Sequence, residues 1–263
     1  ELFQRFGGIG PVLLALFVTS ASAESLATRP DDRMKEGWWG KRHGAALAAP
    51  NRATAKVVFI GDSITHGWEG SGKATWKHYY EGRGALNLGY SGDRTENVLW
   101  RFEHGELDGL SPKVAVLMIG TNNTGHRKDK PEEIADGVRA ILDGLEKRLP
   151  MTKVLVLAIF PRAATSADAP RVNNDKANEL VAKFADNKKV FFLDINGKFL
   201  NPDGILSKDV MPDLLHPQAK GYGIWAEAME PTLAKLLGDE AVQPEPMAAQ
   251  PDKPAAKHGK KDK

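Results

Sequence analysis

The 263-residue chain contains no cysteine, which excludes both a disulfide framework and a thiolate metal site. It also lacks a charge excess. Its 36 Lys and Arg against 34 Asp and Glu leave +2, too even a balance for a nucleic-acid surface or an anionic membrane face. An apolar run at residues 9–18 is about ten residues, short of the ~30 Å a permanent membrane span must cover. No strand-to-helix corner holds Gly-x-Gly-x-x-Gly or a P-loop, which removes the usual nucleotide cradles. Histidines at close metal-ligand spacing are missing, as is any internal repeat.

What is present fits one α/β domain with tails, since 41% of the residues are hydrophobic and 27% charged. Arg5, the apolar run and Ala21-Ser22-Ala23 have the layout of a secretory signal at 1–23, so cleavage after Ala23 is expected, giving a secreted or periplasmic protein without stable membrane insertion. Residues 24–55 read as a polar lead-in, with Trp38 and Trp39 expected to pack over a domain edge. The domain spans 56–238. Beyond it, residues 239–263 are rich in Pro, Ala and Lys without periodicity and read as a disordered tail.

Five short apolar runs, at 57–60, 85–88, 114–119, 154–159 and 190–193, have the continuous character of strands buried on both faces. Helical periodicity is expected between them at 75–80, 95–103, 131–149 and 172–184, and again at 219–237. Pro131 suits a first helical turn. The alternation predicts a parallel sheet with helices on both faces, because each parallel crossover needs a helix and is right-handed. Ligands bind at the carboxyl ends of such strands. The corners there hold Ser63, Gly92 and Asn122, and the loop after the fifth strand holds Asp213 and His216.

A serine hydroxyl attacks a carbonyl only if a base takes its proton, and histidine has the suitable pKa. His216 lies on the same edge as Ser63, whereas His66, His78, His104 and His126 lack a partner in the required arrangement. Asp213, three residues upstream, can fix the tautomer of His216 and stabilise its imidazolium. The backbone N–H groups of Ser63 and Gly92 and the side-chain amide of Asn122 are candidate oxyanion donors. Each residue alone also fits an ordinary turn or cap; their joint occurrence on one edge points to chemistry. Ser91 is set aside as nucleophile, because Gly89-Tyr90-Ser91-Gly92-Asp93 lacks the last glycine of Gly-x-Ser-x-Gly.

Gly61-Asp62-Ser63, the glycine-rich Asn87-Leu88-Gly89-Tyr90-Ser91-Gly92-Asp93, Gly120-Thr121-Asn122-Asn123 and Asp213-x-x-His216 resemble the four sequence blocks of the SGNH hydrolases, also called GDSL esterases. Within that family, Val98-Leu99-Trp100-Arg101, Gly105-Glu106-Leu107 and Gly120-Thr121-Asn122-Asn123-Thr124-Gly125-His126 look like the catalytic-subunit group of the type I platelet-activating-factor acetylhydrolases. The likeness covers roughly residues 56–237. It implies a flavodoxin-like three-layer α/β/α sandwich with strand order 2-1-3-4-5. It also implies Ser63 as nucleophile, Ser63, Gly92 and Asn122 as oxyanion hole, Asp213 and His216 completing a triad, and no metal or organic cofactor. The leader and the tail depart from that cytosolic group.

The expected activity is hydrolysis of short acyl esters, most directly acetyl esters of carbohydrate, because a leader is present and no apolar lid or lipid-docking stretch is seen. Platelet-activating-factor or lysophospholipid ester is the alternative substrate. Asp62, Trp68, Asn123 and Arg162 are the expected substrate contacts, with specificity in the loops at 65–77, 125–130, 160–169 and 203–211. A non-catalytic carbohydrate-binding module using Trp38, Trp39, Trp68 and Trp100 is the reading from another class. The sequence assigns no oligomeric state.

Overall fold

A computed structural model describes residues 25–244. The expected leader at 1–23 and most of the expected tail lie outside them. Five parallel strands, β1 (Val57–Gly61), β2 (Ala85–Gly89), β3 (Val114–Met118), β4 (Lys153–Leu157) and β5 (Val190–Leu193), form one sheet in the order β2-β1-β3-β4-β5. β1 is therefore interior, with Gly61 level with Gly89 on one side and Met118 on the other. Every residue of β1 and β3 is buried, as their unbroken apolar character requires.

Seven α-helices accompany the sheet among the described residues: α1 (Gly37–Leu47), α2 (Ser63–His66), α3 (Lys73–Tyr79), α4 (Thr95–Glu103), α5 (Pro131–Arg148), α6 (Ala169–Val181) and α7 (Ala219–Leu237). Val57 and Phe59 point into a core shared with Trp68, Tyr80, Trp225, Met229 and Leu233, which places α3 and α7 on one face. Val58 and Ile60 meet Val98, Phe102, Val138, Ile141 and Leu145, which places α4 and α5 on the other. The two residue sets alternate along β1 as a pleated strand demands. The three-layer sandwich and its strand order thus match the expectation.

α5 starts with Pro131, whose missing N–H is not needed in the first turn, and its Glu132 and Glu133 at the start and Lys147 and Arg148 at the end favour the helix dipole. α6 begins at Ala169 rather than the expected 172, since Pro170 sits in the first turn, where its missing N–H costs nothing.

The lead-in is where the expectation falls short. Residues 37–47 form α1, and Trp39 and His43 are buried. Three glycines, Gly37, Gly40 and Gly44, give this segment poor intrinsic helix propensity and no apolar stripe. Long-range contacts hold it instead: Trp39 Nε1 donates to Asp93 Oδ1 at 2.7 Å and Arg42 Nε to the Gly89 carbonyl at 2.7 Å. The start of the expected tail is also engaged, because Val242 N–H donates to Glu230 Oε1 at 2.8 Å and Arg83 Nη2 to the Glu240 carbonyl at 3.0 Å.

Candidate active site

The serine corner depends on two residues without side chains. A Cβ on Gly61 would lie 2.2 Å from Thr65 Oγ1 and 2.4 Å from the Met118 carbonyl, and one on Gly89 would lie 2.3 Å from the His66 nitrogen. Glycine at both places lets the single turn of α2 fold back over the ends of β1 and β2. Asp62 Oδ1 caps that turn by accepting from Ile64 N–H at 3.0 Å. Ser63 is the first residue of α2, so the helix's own bonding pattern supplies no acceptor for its N–H.

From the opposite loop, His216 reaches the serine: Ser63 Oγ and His216 Nε2 are 2.9 Å apart. Asp213 holds the histidine twice, through Oδ2 to Nδ1 at 2.6 Å and through Oδ1 to the His216 backbone N–H at 2.7 Å. Leu215 N–H also donates to Oδ1, at 3.0 Å. Partial burial pushes the Asp213 carboxyl up, but the bonds from the His216 ring and from the backbone outweigh it and hold it below the usual carboxylate range. With Asp213 ionised, Nδ1–H is the donor, which leaves Nε2 free to accept from Ser63.

The two other corners, at the ends of the strands that flank β1, are bonded to each other. Asn122 Nδ2 donates to the Asp93 carbonyl at 2.9 Å, which fixes the plane of its amide. Gly92 has φ +79°, and a Cβ there would lie 2.8 Å from an Arg33 guanidinium nitrogen. Arg33 Nη1 binds the Ser91 carbonyl at 2.6 Å and Asp93 Oδ1 at 3.0 Å. The loop carrying Gly92 is thus anchored on a buried carboxylate. Asp93 also accepts from Trp39 Nε1 and, at 3.0 Å, from Arg101 Nε. Arg101 in turn ion-pairs with Glu106, with all three charged side chains fully buried, and lies 4.0 Å from the centroid of the Tyr90 ring. Burial pushes Asp93 up to about 6, against the pull of Arg101, Trp39 and Arg33.

The structure brings Ser63, Asp213, His216, Gly92 and Asn122 to one edge. Three of the four expected substrate contacts are placed differently. Trp68 is 1% exposed, its ring wedged against Phe59, Trp76, Tyr80, Tyr222 and Trp225, so it serves the core. Asn123 is buried; its Oδ1 accepts from Thr95 N–H and its Nδ2 donates to Asp129 Oδ2. Asp62 is buried as the cap of α2. Arg162 remains at the edge, donating to the Thr121 carbonyl at 2.6 Å. The sequence reading missed Arg33 and Arg101, whose partners lie 60 and 8 residues away.

Burial pushes the Asp62 carboxyl from the ordinary 3.8 up to about 7, against the Ile64 N–H bond and the nearby His216. Its Oδ2 has no hydrogen-bond partner among the described residues. Between those two values the folded state binds a proton that the unfolded chain does not. The group's stabilising contribution is therefore complete below the unfolded value and is lost as the pH rises through about 7. Asp62→Asn keeps the Oδ1 acceptor and removes the titration. Thermal melts should show the variant gaining on the wild type from pH 5 to pH 8; parallel pH profiles would sink this account.

The family model for GDSL-like lipases and acylhydrolases matches residues 59–224, which contain all of these corners. The chain belongs to this family. As a GDSL hydrolase it resembles platelet-activating factor acetylhydrolase IB subunit alpha1 of Homo sapiens, at 35% identity over 231 residues, covering 85% of this chain and 96% of the relative. Subunit alpha2 of Rattus norvegicus is 33% identical over 208 residues, covering 79% and 86%. Among solved structures, a putative acylhydrolase from Bacteroides fragilis aligns with TM-score 0.63 at 21% identity, over 79% of this chain and 99% of that one. An acetylxylan esterase from Geobacillus stearothermophilus aligns with TM-score 0.56 at 21% identity, over 72% and 96%. The GDSL fold and the acylhydrolase class rest on these likenesses together.

Proposed function

We propose that this GDSL hydrolase is an exported serine esterase that removes short acyl groups, acetyl above all, from carbohydrate. The single observation that carries the mechanism is the 2.9 Å contact between Ser63 Oγ and His216 Nε2. In the first half-reaction Ser63 Oγ attacks the acyl carbon as its proton passes to Nε2. The tetrahedral oxyanion takes hydrogen bonds from the N–H groups of Ser63 and Gly92 and from the Asn122 amide. Collapse breaks the ester C–O bond, and the imidazolium returns the proton to the departing alcohol oxygen. Water then attacks the acyl-serine with His216 again as base, releasing the acid and restoring Ser63.

Trp38 supports carbohydrate as the alcohol. It is 41% exposed, stacked on His66 with ring centroids 6.2 Å apart, and His66 Nδ1 is 2.9 Å from Ser91 Oγ, beside Gly92. The Arg33 guanidinium lies over the ring at 5.6 Å, so the exposed part of the indole offers an edge against which a sugar can pack. The non-catalytic module reading loses most of its surface, since Trp39 and Trp68 are buried and Trp100 is covered by His104 at 3.6 Å. Platelet-activating factor is the second reading, favoured by the 35% identity to the acetylhydrolase subunit. Export rests on the leader-like layout of residues 1–23.

Acetate release from p-nitrophenyl acetate, acetylated xylan, acetylated amino sugars and a short-chain acetyl phospholipid tests the reading. Turnover of the sugar acetates above the phospholipid supports it, and the reverse order selects the second reading. Asn122→Ala should lower kcat on any of these esters by about 100- to 1000-fold, since one oxyanion donor is worth that much. An unchanged kcat would remove Asn122 from the mechanism.

A further inference from the structure

Beside the serine edge the surface opens into a pocket of about 450 Å³, walled by Thr124, Gly125, Lys128, Arg162, Pro170 and Asn173. Two short links tie it to the site. Arg162 Nη1 is bonded to the carbonyl of Thr121, next to Asn122, and Ala163 N–H donates at 2.9 Å to the carbonyl of Leu214, between Asp213 and His216. Gly125 keeps the space for the guanidinium: a Cβ there would lie 2.5 Å from Arg162 Nη1.

The charge in this pocket is one-sided. Nearby cations are paired: Arg127 with Glu96 and Asp129, Arg94 with Glu96, and Arg33 with Glu36 and Asp93. Among the described residues, neither Arg162 nor Lys128 has a carboxylate at ion-pair distance; the bonds of Arg162 Nη1 go to the neutral Thr121 carbonyl and hydroxyl, and Asp62 and Asp213 act on its charge only from beyond contact. His126, on the same turn, is held below its ordinary range by burial first and then by Arg94, Arg33 and Arg162. The backbone here is also unusual. Lys128, Ala163 and Leu214 have φ of 61°, 64° and 59°, three of the four non-glycine residues with positive φ among those described. Such conformations are disfavoured and persist only where surrounding structure enforces them. Here they set the lip of the pocket and the loop that carries His216.

We propose that this pocket receives an anionic group, a carboxylate or a phosphate, carried by the same ester whose acyl group Ser63 attacks. The inference rests on the esterase reading and narrows it to acidic substrates. With Nη1 held by Thr121, the Nε–Nη2 edge of the planar Arg162 guanidinium is the fork left for two oxygens of such a group, and the Lys128 ammonium adds a flexible point charge. Asn173 Nδ2, donating to Thr124 Oγ1 at 2.9 Å and to the Asp129 carbonyl at 3.0 Å, braces the far wall. A neutral sugar would leave Lys128 unanswered and Arg162 with only the more distant charges of Asp62 and Asp213.

Substrate pairs that differ in one negative group decide it: an acetylated glucuronic acid against its methyl ester, and acetylglycerol phosphate against monoacetylglycerol. The charged member should have at least tenfold higher kcat/KM in one pair or both, and the better pair identifies carboxylate or phosphate as the source. In Arg162→Gln that ratio should fall about tenfold. Arg162→Lys should restore part of it, and Lys128→Gln, at an exposed site, should lower it severalfold. In parallel, calorimetric titration of Ser63→Ala with glucuronate and with inorganic phosphate reads the pocket without chemistry. Ester turnover with equal kcat/KM across both pairs, and no anion binding, overturns the pocket. Anion binding that disappears in Arg162→Gln, together with no turnover of any ester, keeps the pocket and overturns the esterase.

Discussion

Ser63→Ala is expected to lower kcat on p-nitrophenyl acetate by about four to six orders of magnitude while leaving the melting temperature nearly unchanged. The two halves of this result have one cause. Among the described residues the hydroxyl bonds only His216, on an accessible edge, so its removal leaves no buried polar group there unsatisfied. The residue's N–H survives in alanine, and with it one oxyanion donor and the first turn of α2. What remains is the modest acceleration that binding and oxyanion donors give without a nucleophile. Kinetics beside a thermal melt check both halves, and wild-type kcat in the variant would place the nucleophile elsewhere.

The largest effect on stability is expected away from the chemistry, at Arg101. This guanidinium is fully buried between Asp93 and Glu106. Burial works to lower its pKa, but the two carboxylates outweigh that and keep it charged. Arg101→Met leaves Asp93 with Arg33 and Trp39 as partners and strips Glu106 of its ion-pair partner. Removing one member of a buried pair costs about 3–5 kcal/mol, a fall in melting temperature of roughly 10 °C for a domain of this size. Esterase kcat should fall too, because the Asp93 carbonyl orients Asn122 and its carboxylate anchors the loop of Gly92. Adding Glu106→Gln to Arg101→Met should recover part of the lost stability, since the uncompensated charge is then gone. A double variant as unstable as the sum of the two singles would show the two groups uncoupled.

How much of this was legible in the chain differs by element. Strands β1 and β3 were visible because a strand buried on both faces has to be apolar at every position, and no surface segment shares that character. The five site residues were visible because each stands at a strand end or before a helix, where the alternation of the fold already gathers ligands. α1 was not visible, since its three glycines argue against a helix and only Trp39, Arg42 and His43, bonded to residues far along the chain, hold it. Trp68 misled for a related reason: an aromatic residue in a loop next to Ser63 reads the same whether it faces ligand or core. The side chains of α7 that bury it arrive about 150 residues later.

By itself, then, the sequence determined the strands and the family and singled out the candidate reacting groups, because those follow from local patterns of polarity and from short motifs at strand ends. Only the tertiary structure decided which of the flanking residues are buried and which stay at the edge. It buried Asp62, Trp68 and Asn123 and tied the lead-in to Asp93. It also placed Arg162 and Lys128 together in the wall of one pocket beside the site, with no ion pair at contact distance among the described residues. The physical reason is that burial and ion pairing are properties of what the rest of the chain brings near a residue, and partners many residues apart leave no mark in the local pattern.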